Sequence, residues 1–470
     1  MTTLQQRELA FLQDRFTTLA MLMLASASES QGNFWQAEEA VGAVILALRS
    51  PLAESALRMS VESSDRTYVC PECGMGLRRW DRGDREVVTG HGACVLTSSR
   101  YRCPECRTDY RPVEEANGLV GNRFTMGAKL RIGQRAAEVP YAVTSATLSE
   151  WGIEVSAKEV DRTVAEVSSW RQSEEQAAVE AAFPEDGSID EEQRSAASGP
   201  KLFDWRDWSS REPLLMSVDG ATIRSPEKGE GGLLWFEGRS ALMRPARQKS
   251  RARPFFLSGV YTCDALFDHA AAAYRQGPNE DRWVLFIADG ARWIWERVRL
   301  YFPNRTEVLD IYHAGEHVAG AGIACFGEGS LKARDWRRRA RSMLLEEDCG
   351  RVVLGHLIDL LREDDGLASR DEVITEFRYF WTNRHRMRYQ ALLAAGLPIG
   401  SGAMESAVKQ VSTQRLRQPG MKWSRRGAHD MLCMRAAHLS GALRATVQRR
   451  AEDLQQAAQR FHVHALRAAA

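Results

Sequence analysis

Two tetrapeptides, Cys70-Pro-Glu-Cys73 and Cys103-Pro-Glu-Cys106, constrain this chain more than any other feature. Each short turn presents two thiolates on one side, and the 29 residues between the turns suffice for strands or a loop. Four thiolates delivered this way wrap one structural Zn²⁺ tetrahedrally and hold the flanking chain in a small ribbon, here at 64–112. Disulfides or paired redox motifs are the alternatives. The repetition of C-P-E-C and the lack of a surrounding βαβ pattern weigh against both. Cys94 and His91 lie between the knuckles and rank as spare ligands, while Cys263, Cys325, Cys349 and Cys433 are scattered like ordinary buried thiols.

Helical segments flank the ribbon. Residues 3–25 and 34–49 place Leu9, Leu12, Phe16, Leu19 and Met23, then Ala40, Val41, Val44 and Leu48, at helical spacing. A helical region over 1–63, suited to packing or dimerisation, therefore opens the chain. The stretch 138–170 reads as a helix, a turn at Gly152 and a second helix capped by Ser156 with Glu159 three residues on. Val160, Val164 and Val167 give the second helix an inward stripe, and Lys158, Asp161 and Arg162 then face outward. This is the helix-turn-helix arrangement, and it marks 113–173 as a candidate DNA-binding region, although any small helical domain can look alike. From Glu174 to Glu192 eight acids occur without a Lys or Arg, which reads as a solvated helix end opening an acidic linker over 174–212.

Charge is informative in its distribution. A net charge of +1 excludes a uniformly basic nucleic-acid coat, yet residues 401–450 hold ten Lys and Arg against Glu405 and Asp430. Two further basic runs lie at 244–253 and 332–341. No stretch approaches the roughly 18 uncharged apolar residues of a membrane span, and the Met1 end has no basic-then-apolar signal pattern, so the expectation is a cytoplasmic protein without a membrane partner.

Beyond the linker the periodicity shortens. Apolar, β-rich runs at 213–223, 232–238, 254–263, 282–291 and 306–312 are bounded by turn residues, with helical patterns between the later ones. They predict an α/β sheet with an antiparallel front half inside a 213–440 domain, followed by a helical tail over 441–470. Two of the runs end alike, in Ser-Val-Asp219-Gly and Ile-Ala-Asp289-Gly. A carboxylate delivered by a buried strand and followed by glycine stands at the sheet edge, where a ligand reaches it. If the first and fourth strands are neighbours, Asp219 and Asp289 repel unless a cation lies between them, and oxygen-only ligation suits Mg²⁺ or Mn²⁺. The plain alternative is that Asp-Gly only makes a turn.

A third acid follows Gly400-Ser401-Gly402. These residues let the backbone turn into a helix beginning near Ala403, with Glu405 in its first turn. Packed across the sheet, that helix completes a site for two divalent ions, which clamp the attacking and leaving oxygens of a phosphodiester. Its basic continuation, Lys409, Arg415 and Arg417, with Lys422, Trp423 and Arg425 beyond the Pro419-Gly420 break, can hold a DNA backbone. Alone, Glu405 would be only a helix-start acid. Between Asp289 and Glu405 lie 115 residues, and helical patterns from 314 to 396 imply an all-α insertion. Its aromatic stripe is expected to be largely core, with Phe377, Phe380 and Trp381 buried.

The segments "SVDGATI", "FIADGARWIWE", "LDIYHAGEHV", "NRHRMRYQALLAAGLPIGSGAMESAVK" and "RLRQPGMKWSRRGA" together resemble the DDE transposases of bacterial insertion sequences, specifically the ISKra-type group with a Mutator-like core. The resemblance covers 213 to about 440. It implies an RNase H-like catalytic domain, with Asp219, Asp289 and Glu405 as the triad and Asp310-Ile-Tyr-His313 as its D-x-x-H signature. It also implies double-stranded DNA, both element ends and target, as partner, a homodimer or larger assembly, and a place at the bacterial nucleoid. Asp310 could equally cap the next helix, and His317 could extend a polar face. An RNase H-fold nuclease or resolvase that cuts without joining, and a DNA-binding regulator, are the competing readings.

Overall fold

A computed structural model of the chain describes residues 2–30, 33–63, 67–184, 199–205, 208, 212–229, 232–247, 252–277, 282–362 and 367–462. The chain divides into two compact units, one formed by 1–170 with 443–470 and the other by 171–442.

In the first unit the expected pair of helices is α1 (Thr3–Glu29) and α2 (Phe34–Ser63), packed on each other. α2 runs further than its apolar spacing suggests, because Ala53, Leu57 and Val61 continue the stripe onto Val87, Cys94 and Leu96 of the ribbon. Over Phe34–Glu62 it is the one helix among the described residues long and apolar enough to cross a membrane, by length and composition. Glu38, Glu39, Arg49 and Glu54 interrupt it, which is why the sequence holds no uncharged run of that length.

The ribbon is an antiparallel sheet of β1 (Arg78–Thr89), β2 (Gly92–Arg102) and the short β3 (Asp109–Tyr110). Its core holds Tyr68, Cys70, Tyr101, Cys103 and Tyr110 together with Phe461 from the far end of the chain. The Val69 amide donates to the Phe461 carbonyl at 2.8 Å. Residues beyond 441 are thus no appended tail. The helix Leu443–Ala458 packs on α3 (Pro112–Ala116) and α4 (Met126–Glu138), and brings Phe461 to the ribbon. After α4 come α5 (Tyr141–Ser149), a turn in which Gly152 has φ +73°, and α6 (Ala157–Ala182). The Ser156–Glu159 box forms as read: the Glu159 amide donates to Ser156 Oγ at 3.3 Å and the Ser156 amide to Glu159 Oε2 at 2.9 Å.

The second unit corrects the reading of a solvated linker. α6 continues through the expected linker start, and Arg171 and Glu175 are buried as an ion pair at 2.8 Å, with the Tyr261 hydroxyl donating to Glu175. Leu202, Phe203 and Trp208 also enter the core. Residues 185–198 of that stretch lie outside the described residues. The acids that read as solvating are instead partly spent inside the fold.

A five-stranded mixed sheet organises this unit, in the order β6-β5-β4-β7-β8. β4 (Leu214–Gly229), β5 (Gly232–Pro245) and β6 (Phe255–Gly259) form an antiparallel meander, and β7 (Val284–Ala288) and β8 (Arg305–Leu309) join in parallel. The helices α7 (Cys263–Arg275) and α8 (Arg292–Tyr301) connect the parallel strands. One core forms with these helices around Phe267, Phe286 and Trp295, while another builds on Leu285, Ile287 and Val308. That second core is covered by the predicted insertion: α9 (Ile311–Phe326), α10 (Leu331–Leu344), α11 (Cys349–Arg362), α12 (Arg370–Asn383) and α13 (Tyr389–Ala394). α14 (Gly402–Val408) then packs across β4 and β5, and α15 (Arg425–Leu439) covers β6.

Candidate active site and metal centre

The four knuckle cysteines converge as their spacing predicts. Their Sγ atoms all lie within 4.8 Å of one another, and Cys73 Sγ stands 3.5 Å from Cys103 Sγ. Zn–S bonds of about 2.3 Å in a tetrahedron place sulfurs about 3.8 Å apart, so the cluster fits a metal such as zinc. The Cys106 amide donates to Cys103 Sγ at 3.3 Å, orienting that thiol inward. Burial raises the Cys70 pKa, but contact with the Tyr110 hydroxyl and the backbone amides of Cys73 and Glu72 outweighs it and brings the thiol down to about 6. Cys106, crowded by the Cys73 thiol, is pushed up to about 12. Thiols held this close without a cation cannot all ionise. A metal ion removes that conflict.

The acid site is built from separate elements. β4 and β7 pair in parallel through Met216↔Phe286, and the Ser217 hydroxyl donates across to the Ile287 carbonyl at 2.6 Å. Continuing that register by three residues sets Asp219 beside Asp289. Asp289 follows β7 as expected, but Asp219 lies within β4, which runs on with β5 as a hairpin after leaving β7. Each carboxylate is oriented by its own turn: Asp219 accepts from the Gly220 amide at 2.7 Å and Asp289 from the Ala291 amide at 2.9 Å. Gly290 leaves room for the Tyr379 ring, which a Cβ would approach to 2.3 Å, whereas a Cβ on Gly220 would meet only the movable Glu237 side chain.

Burial is the first cause that lifts Asp219 above the ordinary carboxylate range, and repulsion from Asp289 and Glu237 adds to it, while His313 opposes. His313 is exposed at the start of α9, with Nδ1 3.3 Å from Glu316 Oε2. The histidine is near enough to Asp219 for the two charges to interact.

Asp310 is buried and its carboxylate is fully engaged. It caps α9 through the Tyr312 amide at 3.3 Å, and it accepts from the Ser401 amide at 2.9 Å and the Ser401 hydroxyl at 2.7 Å. The Ile311 amide adds a bond to the Ile399 carbonyl at 3.2 Å. Asp310 thus ties β8 and α9 to the turn that launches α14 and sets where Glu405, exposed in its first turn, stands. It is a positioning residue rather than a free ligand. Gly400 is required for the same join, since a Cβ there would meet the Tyr312 ring at 2.9 Å. Past Glu405 the helix widens into a π turn over Lys409–Thr413 and ends at Leu416, short of Pro419. Among the described residues the cysteines are the one group of three or more candidate ligands close enough together to hold a metal ion, and Asp219, Asp289 and Glu405 do not form such a group. Of the three, Asp219 and Asp289 repel each other, and carboxylate oxygens are the donor type that hard divalent cations take.

The basic residues divide. Lys158 and Arg162 in the first unit, and Lys409, Arg417, Lys422 and Arg425 in the second, are exposed. Arg415 is not: it is buried with its guanidinium over the Trp423 ring, so it packs the turn and does not reach a backbone phosphate. Trp423 is half-buried and donates its indole N–H to the Leu416 carbonyl at 3.1 Å. In the insertion Phe380 is core as expected, but Trp381 is 53% exposed, stacked on Phe377 and covered by Arg384. The local sequence did not reveal the layer behind Asp289. There the Tyr379 ring stacks on His317 at 3.5 Å, and His317 Nδ1 meets Glu376 Oε2 at 2.8 Å. Only the i, i+3 spacing of Glu376 and Tyr379 hinted at it.

Residues 267–453 match the profile of an uncharacterised protein family, UPF0236. The matched stretch holds Asp289, Asp310, His313 and Glu405, and begins after Asp219. No curated protein matches the chain.

Proposed function

We propose that the chain is a DDE transposase of a bacterial insertion sequence, with an RNase H-like catalytic domain that cleaves DNA at element ends and joins the freed strand to target DNA. The observation that carries this reading is the sheet order β6-β5-β4-β7-β8, which makes Asp219 and Asp289 neighbours while α14 brings Glu405 across β4 and β5. Mg²⁺ or Mn²⁺ held by these three carboxylates would supply Lewis-acid activation of the attacking and leaving oxygens. Water first displaces the 3′ oxygen of a phosphodiester, and the freed 3′ hydroxyl then attacks a target phosphodiester, so each step exchanges one P–O bond for another.

The chain's own groups have separable tasks. Asp310 fixes the Ser401 turn, His313 holds or releases a proton beside Asp219, and Lys409, Arg417, Lys422 and Arg425 bind backbone phosphates. A zinc-filled ribbon and the α5–α6 pair, with Lys158 and Arg162 outward, engage duplex DNA. Holding two ends at once calls for a dimer or larger assembly. Phe34, Val41, Ile45 and Leu52 supply an exposed apolar stripe along α2 for it.

The test incubates purified protein, with Mg²⁺ or EDTA, on labelled DNA carrying the gene's flanking sequences and a target plasmid, beside Asp289→Asn. Metal-dependent cleavage and joining, both absent in the variant, are expected. Cleavage without joining would favour a nuclease, and binding without either a regulator.

A further inference from the structure

Two basic runs of the second unit, 244–253 and 332–341, remain without a task in the chemistry above. They meet. Arg244 and Arg247 from the first and Arg337 from the second line one groove of about 1900 Å³, beside α9 and the Gly400–Ser406 turn that carries Glu405. Among the described residues the Arg244 guanidinium contacts the carbonyl of its neighbour Pro245 at 3.3 Å and none of the three guanidinium groups is ion-paired, although the Arg247 backbone amide donates to Glu212 Oε1 at 3.1 Å. Four large apolar side chains that are 44–54% exposed, Tyr312, Ile323, Leu345 and Leu393, line the same groove. Glu316 is its one acid.

A cleft with an apolar floor and an unneutralised cationic rim fits a ligand that has both flat apolar surfaces and regular negative charge. Its volume exceeds the roughly 300–1,000 Å³ of small-molecule pockets, which points to a polymer. Duplex DNA offers phosphates but keeps its base faces stacked inside. A single strand offers both. Tyr312 is well placed as a platform: one side of its ring rests on Gly400, and the ring remains 54% exposed.

We infer that this groove binds an unpaired stretch of DNA next to the cleavage site, with a base against Tyr312 and phosphates on Arg244, Arg247 and Arg337. The inference rests on the transposase reading for its substrate, since a nick beside Glu405 frees a strand end whose terminal bases fray from their partners. An acidic amphipathic peptide is the competing occupant.

Fluorescence anisotropy of a labelled oligothymidylate and a duplex of equal length, both in EDTA, tests this. Tyr312→Ala and the double variant Arg247→Ala/Arg337→Ala should each weaken single-strand binding roughly tenfold, leaving duplex binding within about twofold. Tyr312→Phe should bind like the parent, and the double variant should lower the salt slope by about 1.4. Near-UV circular dichroism identifies a misfolded variant, and Tyr312→Phe then carries the comparison with the arginine pair. Equal single-strand binding by parent and variants, or displacement of the strand by polyglutamate as readily as by unlabelled oligothymidylate, would overturn the inference. Because binding is read without metal, a parent that never cleaves DNA but loses strand binding in Tyr312→Ala would sink the transposase reading and keep the groove. A parent that cleaves but binds no single strand would do the reverse.

Discussion

The cysteine cluster and the carboxylate site are opposite solutions to holding a cation. The cysteines come from two turns of four residues each, and the single β1–β2 hairpin between them draws their sulfurs within 4.8 Å. The carboxylates come from β4, from the end of β7 and from α14, and they are placed by strand register and by the Asp310–Ser401 join. One site is a complete set of four thiols, two buried in the ribbon's own core (Cys70, Cys103) and two at its surface (Cys73, Cys106); the other is open, and Asp219 and Asp289 repel. The first should therefore be a term in folding and the second a term in function, and each prediction below presses on that contrast.

The largest effect belongs to the ribbon. Cys103→Ser should abolish zinc, measured as one ion per chain by plasma mass spectrometry. It should also unfold the ribbon, since structural zinc contributes on the order of 10 kcal/mol in small metal-nucleated domains. Amide exchange should rise around Tyr68, Tyr101 and Phe461 while β4–β8 stay protected. Protection that survived the loss of metal would show that the aromatic cluster holds the ribbon without it.

The carboxylate site should answer in the other sense. Asp289→Asn should cost about 10²–10³-fold or more in cleavage, the lower figures being the scale of losing one preorganised polar group at a reacting centre, yet should not lower the melting temperature. Asp219→Asn should raise that temperature at neutral pH without metal. A carboxyl whose folded-state pKa is raised destabilises the fold once pH exceeds its unfolded value of 3.8, and the cost grows as pH climbs through the folded value. Mg²⁺ should stabilise the parent more than either variant. If both variants melt lower than the parent in EDTA, the acids are structural and the contrast fails.

Between these lies Asp310, which accepts three hydrogen bonds while buried. Asp310→Ala should destabilise the second unit by about 2–3 kcal/mol and lower cleavage by loosening the start of α14. Ser401→Ala removes one of the three bonds and should show about 1 kcal/mol. Cleavage lost in Asp310→Ala but fully kept in Ser401→Ala would argue that Asp310 meets the substrate directly.

The legibility of the two sites follows from the same difference. Cys70, Cys73, Cys103 and Cys106 announce themselves because their constraint is local in the chain. The five strands were also readable, since β4–β8 bury apolar faces within short runs, and the neighbouring of Asp219 and Asp289 needed only the first and fourth strands to pair. What the sequence hid was set by distant contacts. Phe461 enters the ribbon core across nearly the whole chain, and Glu175 is buried because Arg171 and Tyr261 receive it, so acids that looked solvated are structural. Arg415 read as a phosphate ligand from its charge, but Trp423, after the turn at Gly420, covers it. Tyr379 behind Asp289 depends on how α12 meets β7, which no local pattern encodes.

The smallest effect concerns two acids with opposite shifts, one in each unit. Burial would raise Glu159, but the Arg123 guanidinium and the Ser156 amide and hydroxyl outweigh it and bring its pKa down to about 2. A depressed carboxyl stabilises the fold above its unfolded value of 4.5, and that contribution is lost as pH falls from 4.5 toward 2. Glu159→Gln keeps the side-chain length and removes the charge. At pH 6 it should increase amide exchange at the start of α6 by the equivalent of about 1 kcal/mol, the usual worth of a cap. At pH 1.5, below the folded-state value, the parent carboxylate is also largely neutralised and the gap should narrow. Asp219 has the reverse sign, so acid relieves the acid pair of β4 and β7 as pH falls to 3.8, while the cap of α6 weakens from 4.5 downward. A gap for Glu159→Gln that stayed constant from pH 6 to 1.5 would mean that side-chain shape, not charge, holds the cap, and the electrostatic half of the contrast would then rest on Asp219 alone.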